Sequence, residues 1–310
     1  MFWAKPYDFE TIPSLVGKTA IITGANAGIG KVCALEMARK GCHIIMGCRS
    51  KEKSEEAIAE IKEATGNSKV EFIQLDLMSL KSVKSFADTF KERYDKLDIL
   101  INNAGIMMCP YGLSEDGIET QFATNHVAHF YLTIMLLPIM KKSDVFRIVT
   151  VSSLAHKFFL GSLDLQNVNN EKTYGRLTNY GKSKASNIMF TRELARRLEK
   201  AGIKNGYVNS NHPGVVQSGI SRHVISMQSI WERIYHSFNI SVENGALSQL
   251  YLATSPEVEE KGIKGQYYVP YGQPGYIIGI ARSDAAAEEL WEFTENLLKE
   301  KVPGYTGAGI

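Results

Sequence analysis

Cysteine is scarce in this chain, four among 310 residues. Cys33, Cys42, Cys48 and Cys109 form no C-x-x-C or other metal-ligand spacing, and no metal site is implied. They fall in apolar stretches and read as buried thiols of a reducing compartment. Long apolar runs are missing too. The best, Tyr131 to Ile139, is far too short to cross a bilayer, and Met1-Phe-Trp-Ala-Lys-Pro6 lacks the apolar core of a signal peptide. A cytoplasmic protein is expected, soluble or at most peripheral to membranes. The sequon Asn239-Ile-Ser241 would matter only after secretion. Basic and acidic residues nearly cancel, 35 against 33, for a net charge of +2. With no long Lys/Arg run, nucleic acid is not an expected partner. No repeat, low-complexity tract or linker interrupts the sequence, so residues 1–310 are expected to form one domain.

What is present is a hydrophobic content of 44%, enough for a large core. Short apolar runs alternate with helical patterns: Thr19 to Thr23 then Lys31 to Lys40, His43 to Gly47 then Lys51 to Thr65, Val70 to Leu75 then Leu80 to Tyr94. The alternation continues through Leu97 to Asn102, a helix from Glu115 to Met140, Phe146 to Ser152, a helix from Tyr180 to Lys200, and strands near Tyr207 and Gln266. The fold class is therefore α/β. A Rossmann-like, doubly wound parallel sheet of about seven strands, with helices on both faces, is expected. Two insertions, 154–179 and 217–243, follow strand ends on the edge where such sheets bind ligands.

The first strand runs into Thr23-Gly24-Ala-Asn26-Ala-Gly28-Ile29-Gly30 and then a helical pattern. Glycines in a strand-to-helix turn let backbone N–H groups approach a pyrophosphate and aim the helix N-terminus at it, although a tight connection alone would also use them. The spacing is G-x-x-x-G-x-G rather than G-x-G-x-x-G. Asp76 in Leu75-Asp-Leu77 could accept from an adenine amino group or close an Asx turn. Asn102-Asn103-Ala104-Gly105 could flank a ribose. An acidic residue about 20 positions past the turn would bind a ribose 2′-hydroxyl. Met46-Gly-Cys48-Arg49-Ser50 has none. Arg49 can pair with a 2′-phosphate, favouring NADP(H) over NAD(H), unless it is a solvated arginine near a helix start.

Tyr180-Gly-Lys-Ser-Lys184 is the chain's only Tyr-x-x-x-Lys. On a helix this spacing puts both side chains on one face, and one unit charge at ~4 Å in an effective dielectric of ~20 offers ~4 kcal/mol, or roughly three pKa units, to a phenolate. Tyr180 could then serve as an acid-base near neutrality, though such a pair also suits an exposed helix face. Ser153, in Val151-Ser-Ser153, could supply a second hydroxyl. Asn125 falls in the stripe Ile118, Phe122, Asn125, His129, Leu132, where a buried amide requires a partner; a helix–helix hydrogen bond would also satisfy it.

Taken in order, Thr-Gly-x-x-x-Gly-Ile-Gly, Asn-Asn-Ala-Gly, the Ser153/Tyr180/Lys184 set and Pro213-Gly214 resemble the short-chain dehydrogenase/reductase family over about residues 17 to 300. Cys48-Arg49, Asn103 to Pro110, Ser152-Ser-Leu-Ala-His156 and Phe190 to Leu198 resemble its branch of retinol dehydrogenases and the WW-domain oxidoreductase. Neither a WW domain nor the N-terminal anchor common among retinol dehydrogenases is expected from these residues. The resemblance implies that Ser153, Tyr180 and Lys184 are catalytic, with Asn125 as a fourth position. It implies a cofactor site from Gly24, Asn26, Gly28, Ile29 and Gly30, with Arg49, Asp76, Leu77, Asn103, Ala104 and Gly105 around it. Lys184 would reach the nicotinamide ribose, and Pro213, Gly214, Val216 and Ser218 would run beside the carboxamide. Ser218 stands where threonine is usual.

Hydride would then pass between nicotinamide and the carbonyl or carbinol carbon of a small molecule. Ser153, Tyr180 and Trp231 are the expected substrate contacts; Tyr174, His212 and Gln217 are weaker candidates. Met227, Ile230, Trp231, Ile234 and Phe238 form an apolar helical stripe in 220–240. It fits a lid over a lipophilic aldehyde, ketone or alcohol, but equally a satellite helix or one lying on a membrane. A homodimer through the Asn125 and Tyr180 helices is one expectation, service of those faces to the core alone the other. A catalytically silent NAD(P)-binding sensor or scaffold is the rival of different class, and an epimerase the rival among enzymes.

Overall fold

A computed structural model of the protein describes residues 7–159, 161–216 and 239–310. Strands covered on both faces must be apolar on both, and the runs rich in Ile and Val do pair in parallel. They are β1 (Thr19–Thr23), β2 (His43–Cys48), β3 (Val70–Gln74), β4 (Ile99–Asn102), β5 (Phe146–Val151) and β6 (Gly206–Asn211). Beyond a separate parallel pair, β7 (Val215–Val216) with β8 (Asn239–Ile240), β9 (Tyr267–Val269) joins the sheet beside β6, and β10 (Gln273–Pro274) closes its edge. The strand order is β10-β9-β6-β5-β4-β1-β2-β3, a doubly wound sheet of eight strands rather than about seven. The extra strand, β10, is antiparallel to β9 and two residues long. That is too short to show any periodicity in sequence.

Helices α1 (Gly28–Arg39) and α2 (Lys51–Thr65) cover one face together with Val242–Thr254, around Ile22, Met37, Ile44 and Leu250. On the other face α3 (Leu80–Arg93), Ala128–Met140, Arg176–Lys200 and Asp284–Lys301 enclose Phe86, Phe90, Phe130, Leu194 and Trp291. Burying each of these large side chains contributes about 1.5–3 kcal/mol. No helix among the described residues is long and apolar enough to cross a membrane.

Two helix starts differ from the sequence expectation. The helix expected from Glu115 begins at Thr120, because Ser114 N–H bonds Ile118 O across a turn with Gly117 at φ +74°, and the Glu119 carboxylate accepts from Gln121 and Phe122 N–H. It then passes through a π turn, Ala123–Val127, before Ala128–Met140. The Tyr180 helix starts a turn early, at Arg176, with the Asn179 side chain accepting from Gly175 N–H. Of the insertions, 154–179 holds three short 3-10 turns. Gln217, Ser218, Trp231 and the stripe from Met227 to Phe238 lie outside the described residues.

Candidate active site

Every described residue assigned from sequence to cofactor or chemistry stands at the C-terminal edge of the parallel strands, in or beside the turns after β1 to β6. After β1, Gly24 and Gly28 adopt φ +67° and +56°, a region that side chains disfavour. α1 starts behind exposed Ala27, which gives no side-chain cap, so its first N–H groups are left without a side-chain acceptor. A Cβ at Gly30 would stand 2.5 Å from Asn103 Nδ2 and 2.6 Å from Gly24 O; the turn closes only because residue 30 is glycine. Ile29 and Val216 meet over Gly245, where a Cβ would fall 3.2 Å and 2.7 Å from them. Arg49 is exposed directly after β2. After β3, Asp76 Oδ1 accepts from Met78 N–H at 2.9 Å, so the Asx turn is formed beside buried Leu77.

Thr23 ties this turn to the end of β4. Its hydroxyl accepts from Asn103 and Ala104 N–H, both at 2.9 Å, and lies 3.0 Å from His129 Nε2. His129 Nδ1 lies 3.2 Å from Asn125 O, and a carbonyl can only accept, so Nδ1 carries the proton. Burial pushes the His129 pKa down to about 3, leaving the ring neutral, and Nε2 accepts a hydrogen bond from the Thr23 hydroxyl. The chain from the Asn103–Ala104 loop through Thr23 and His129 to Asn125 is thereby complete.

Asn125 is fully buried in the π turn. Its Nδ2 donates to Ile106 O (3.0 Å) and Ser183 Oγ (2.9 Å), and its Oδ1 accepts from Ile106 N–H (2.9 Å). Gly105 lets this loop come close: a Cβ there would sit 3.0 Å from Asn125 Oδ1 and 3.4 Å from Lys184 Nζ.

Three side-chain hydrogen bonds staple the end of β5 to the Tyr180 helix. Ser152 Oγ donates to Lys184 O at 2.7 Å, while Lys184 Nζ and Asn187 Nδ2 each donate to Val151 O at 3.0 Å. Ser153 follows at once, half-buried, with its Oγ accepting from Ala155 N–H at 3.1 Å. Tyr180 is 6% exposed, and Lys184 Nζ lies 5.8 Å from its ring centre. The lysine is 2% exposed, and burial alone pushes its pKa down to about 7. The pair shares one helix face, as the spacing requires, but the cation is bound to a strand carbonyl and stands over the ring. Its pull on a phenolate is shared with its own desolvation.

The short chain dehydrogenase family model matches residues 18–229. This chain belongs to the short-chain dehydrogenase/reductase family. It is 41% identical to retinol dehydrogenase 12 of Mus musculus over 282 residues, covering 91% of this chain and 86% of that protein. To retinol dehydrogenase 14 of Homo sapiens it is 38% identical over 295 residues, covering 90% and 85%. A crystal structure of a protein from Mycobacterium paratuberculosis superposes with a TM-score of 0.77 at 34% identity, covering 95% and 98% of the two chains. Within the family the dehydrogenase falls in the retinol dehydrogenase-like branch, as an NAD(P)-dependent oxidoreductase of CH–OH and C=O groups.

Sequence reasoning missed several residues that build this dehydrogenase's site. Asn187 lies on the Tyr180 helix face one turn past Lys184, a signal available from spacing. Thr23 and His129 were visible only as members of a motif and a stripe. Tyr174, a weak substrate candidate, has its hydroxyl engaged instead: it accepts from Gln121 Nε2 (2.8 Å) and donates to Cys109 O (2.7 Å), tying the insertion to the loop after β4. His212 is buried beside the end of β6.

Proposed function

We propose that this dehydrogenase interconverts a lipophilic aldehyde or ketone, of the retinal class or similarly apolar, with its alcohol, using NADP(H). The observation that carries the reading is the stapled end of β5: Val151 and Ser152, immediately before Ser153, bond Lys184 on the helix that carries Tyr180, at the sheet edge where α1 starts without a side-chain cap. The turn fits the pyrophosphate of a dinucleotide: α1 begins with N–H groups that no side chain caps, and Gly24, Gly28 and Gly30, with Asn26 and Ile29 between them, keep three positions free of a Cβ, Gly24 N–H itself bonding Gly47 O. Asp76 and Leu77 would flank the adenine, Asn103, Ala104 and Gly105 a ribose, and Arg49 the 2′-phosphate. Lys184 would hold the nicotinamide ribose, with Pro213, Gly214 and Val216 along the carboxamide. Ser218 and Trp231 extend the same assignment to the cofactor and substrate sides.

When bound, the nicotinamide supplies the hydride. Ser153 and Tyr180 donate hydrogen bonds to the substrate oxygen, where negative charge develops, and Tyr180 then yields its proton. In oxidation Tyr180 removes the alcohol proton. Asn125 ties the loop after β4 at Ile106 to Ser183, on the helix that carries Tyr180 and Lys184. The names of the retinol dehydrogenase relatives support the substrate class, and the exposed Arg49 supports the cofactor.

The test is NADPH and NADH oxidation against carbonyl compounds graded by size and polarity, with wild type and Arg49→Leu. Long apolar aldehydes should turn over best, and the variant should lose ~10-fold or more in kcat/KM with NADPH while NADH rates hold. Turnover confined to small polar sugars, or a clear NADH preference in the wild type, would overturn the corresponding half of the reading.

A further inference from the structure

Three side chains that the chemistry above does not use each bury a polar atom without a protein partner: His156 Nε2, His212 Nδ1 and the Tyr267 hydroxyl. Their exposures are 0%, 7% and 2%. Buried polar atoms are normally bonded to protein or to ordered water, and leaving several unmade would oppose folding strongly.

The three belong to one neighbourhood. Ser210 pairs in register with Tyr267, so their side chains share a face of the sheet. His212, two residues past Ser210, returns to that face, and its N–H continues the ladder to Tyr268 O at 2.8 Å. His156 arrives from the turn after β5, its ring edge-on to that of Tyr267 at 5.0 Å and 76°. Gly275 lets the chain after β10 lie on the Tyr267 ring, since a Cβ there would be 2.7 Å from Cδ1. Gly181 seats the Tyr180 helix on the same turn, 2.8 Å from Ala155 O at its Cβ position. His212 is within electrostatic reach of His156 and Lys184, and Tyr267 within that of Tyr180.

The proton inventory is complementary. His156 Nδ1 lies 2.7 Å from Ser153 O, which can only accept, so Nδ1 carries the hydrogen. Burial holds the His156 pKa below its ordinary value, so the ring is neutral and Nε2 is an acceptor. Burial lowers the His212 pKa to about 4 and raises that of Tyr267, so the imidazole is neutral and the phenol keeps its proton. With the His212 proton on Nε2, its Nδ1 is a second acceptor, and one donor and two acceptors then match a water that accepts once and donates twice; buried waters typically make about three such bonds.

We propose that His156, His212 and Tyr267 bind an ordered water beneath the Tyr180 helix, and that His156, held there, is a positioning residue for Ser153. The second half rests on the reading of Ser153 as catalytic; the first does not. His156 grips the Ser153 carbonyl, and the Ser153 hydroxyl is aimed by the same short turn through Ala155 N–H. Loosening the imidazole therefore misaims the hydroxyl, with no contact of its own to substrate.

Crystal structures of the wild type and Tyr267→Phe, at a resolution where other buried waters are ordered, test the site. A water within hydrogen-bonding distance of all three atoms in the wild type, lost or displaced in the variant, is expected; its absence from the wild type overturns the site. Kinetics test the positioning. His156→Phe removes both ring nitrogens and should lower kcat by ~10–100-fold with NADPH affinity by fluorescence titration unchanged, as expected for a misplaced group. His156→Asn keeps a donor for the Ser153 carbonyl and should recover most of that loss. Wild-type kcat in His156→Phe, or in its place a His156→Asn variant that folds and is as impaired as Tyr180→Phe, overturns the positioning role. A wild type inactive on every carbonyl would refute the proposed function and leave the crystallographic result to decide the water site.

Discussion

The turns after β1 and after β5 stand at the same edge of one sheet and work by opposite means. The first is made of backbone. Gly24, Gly28 and Gly30 contribute the side chains they do not have, and exposed Ala27 leaves the start of α1 without a cap. The second is made of buried side chains. Ser152, Lys184 and Asn187 are all at most 2% exposed and bind the end of β5 to the helix that carries Tyr180. A site for an anion needs open N–H groups, whereas a site for proton transfer needs hydroxyls held in fixed geometry in a dry place. The first is broken by adding an atom, the second by removing one.

Removing one atom at the second turn should have the largest effect. Tyr180→Phe keeps the buried ring and deletes only the hydroxyl, so kcat for carbonyl reduction should fall by ~10²–10⁴-fold, the range of a lost general acid. NADPH affinity should be unchanged. Steady-state kinetics with fluorescence titration of the cofactor measures both, and a variant with wild-type kcat would remove Tyr180 from the chemistry.

Adding one atom at the first turn comes next. In Gly30→Ala the new methyl meets Asn103 Nδ2 and Gly24 O, and relief requires breaking the bond from Asn103 Nδ2 to Thr23 O. Overpacking of this kind costs about 1–3 kcal/mol, and cofactor affinity should fall with it. Gly66→Ala is the control: it ends α2 at φ +68° with nothing within 4 Å, so only backbone strain of about 1 kcal/mol applies, and the cofactor should bind normally. Urea denaturation and cofactor titration of both variants measure the contrast; equal behaviour would mean that the glycine turn is only a tight connection.

The same contrast governs how much the sequence revealed. A turn built from missing side chains leaves its whole signature in local sequence, and the strand-to-helix turn from Gly24 to Gly30 stands where that signature put it. Tyr180 and Lys184 were legible because a helix converts spacing into a shared face. The partners were not. Whether Lys184 Nζ meets the Tyr180 hydroxyl or the Val151 carbonyl depends on how a strand end docks against a helix, and that information is spread over Ser152, Asn187 and Gly105. Thr23 and His129 join β1 to the π turn of Asn125 across more than a hundred residues, and neither shows periodicity that would announce the bond. The late start at Thr120 and the two-residue β10 were lost for a simpler reason: a carboxylate cap inside a turn and a strand without alternation leave no pattern to read.

Lys184 gives the finest test of the second turn. An unfolded lysine holds its proton up to a pH of about 10.4, whereas burial brings the native group down to about 7. Between those values the unfolded chain carries a proton that the native state has shed, so stability should rise with pH, by at most about 1.4 kcal/mol per pH unit. Below about pH 6 both states are protonated and the buried charge opposes folding at full strength, with no further change. Lys184→Met keeps the bulk and abolishes the titration. Other ionisable groups cancel in the difference, so the stability of cofactor-free wild type minus variant should climb from pH 7 to 10 and stay flat below 6. Urea denaturation across that range measures it. Parallel curves would mean that Lys184 is solvated at no cost, and that the dry end of the sheet is not dry.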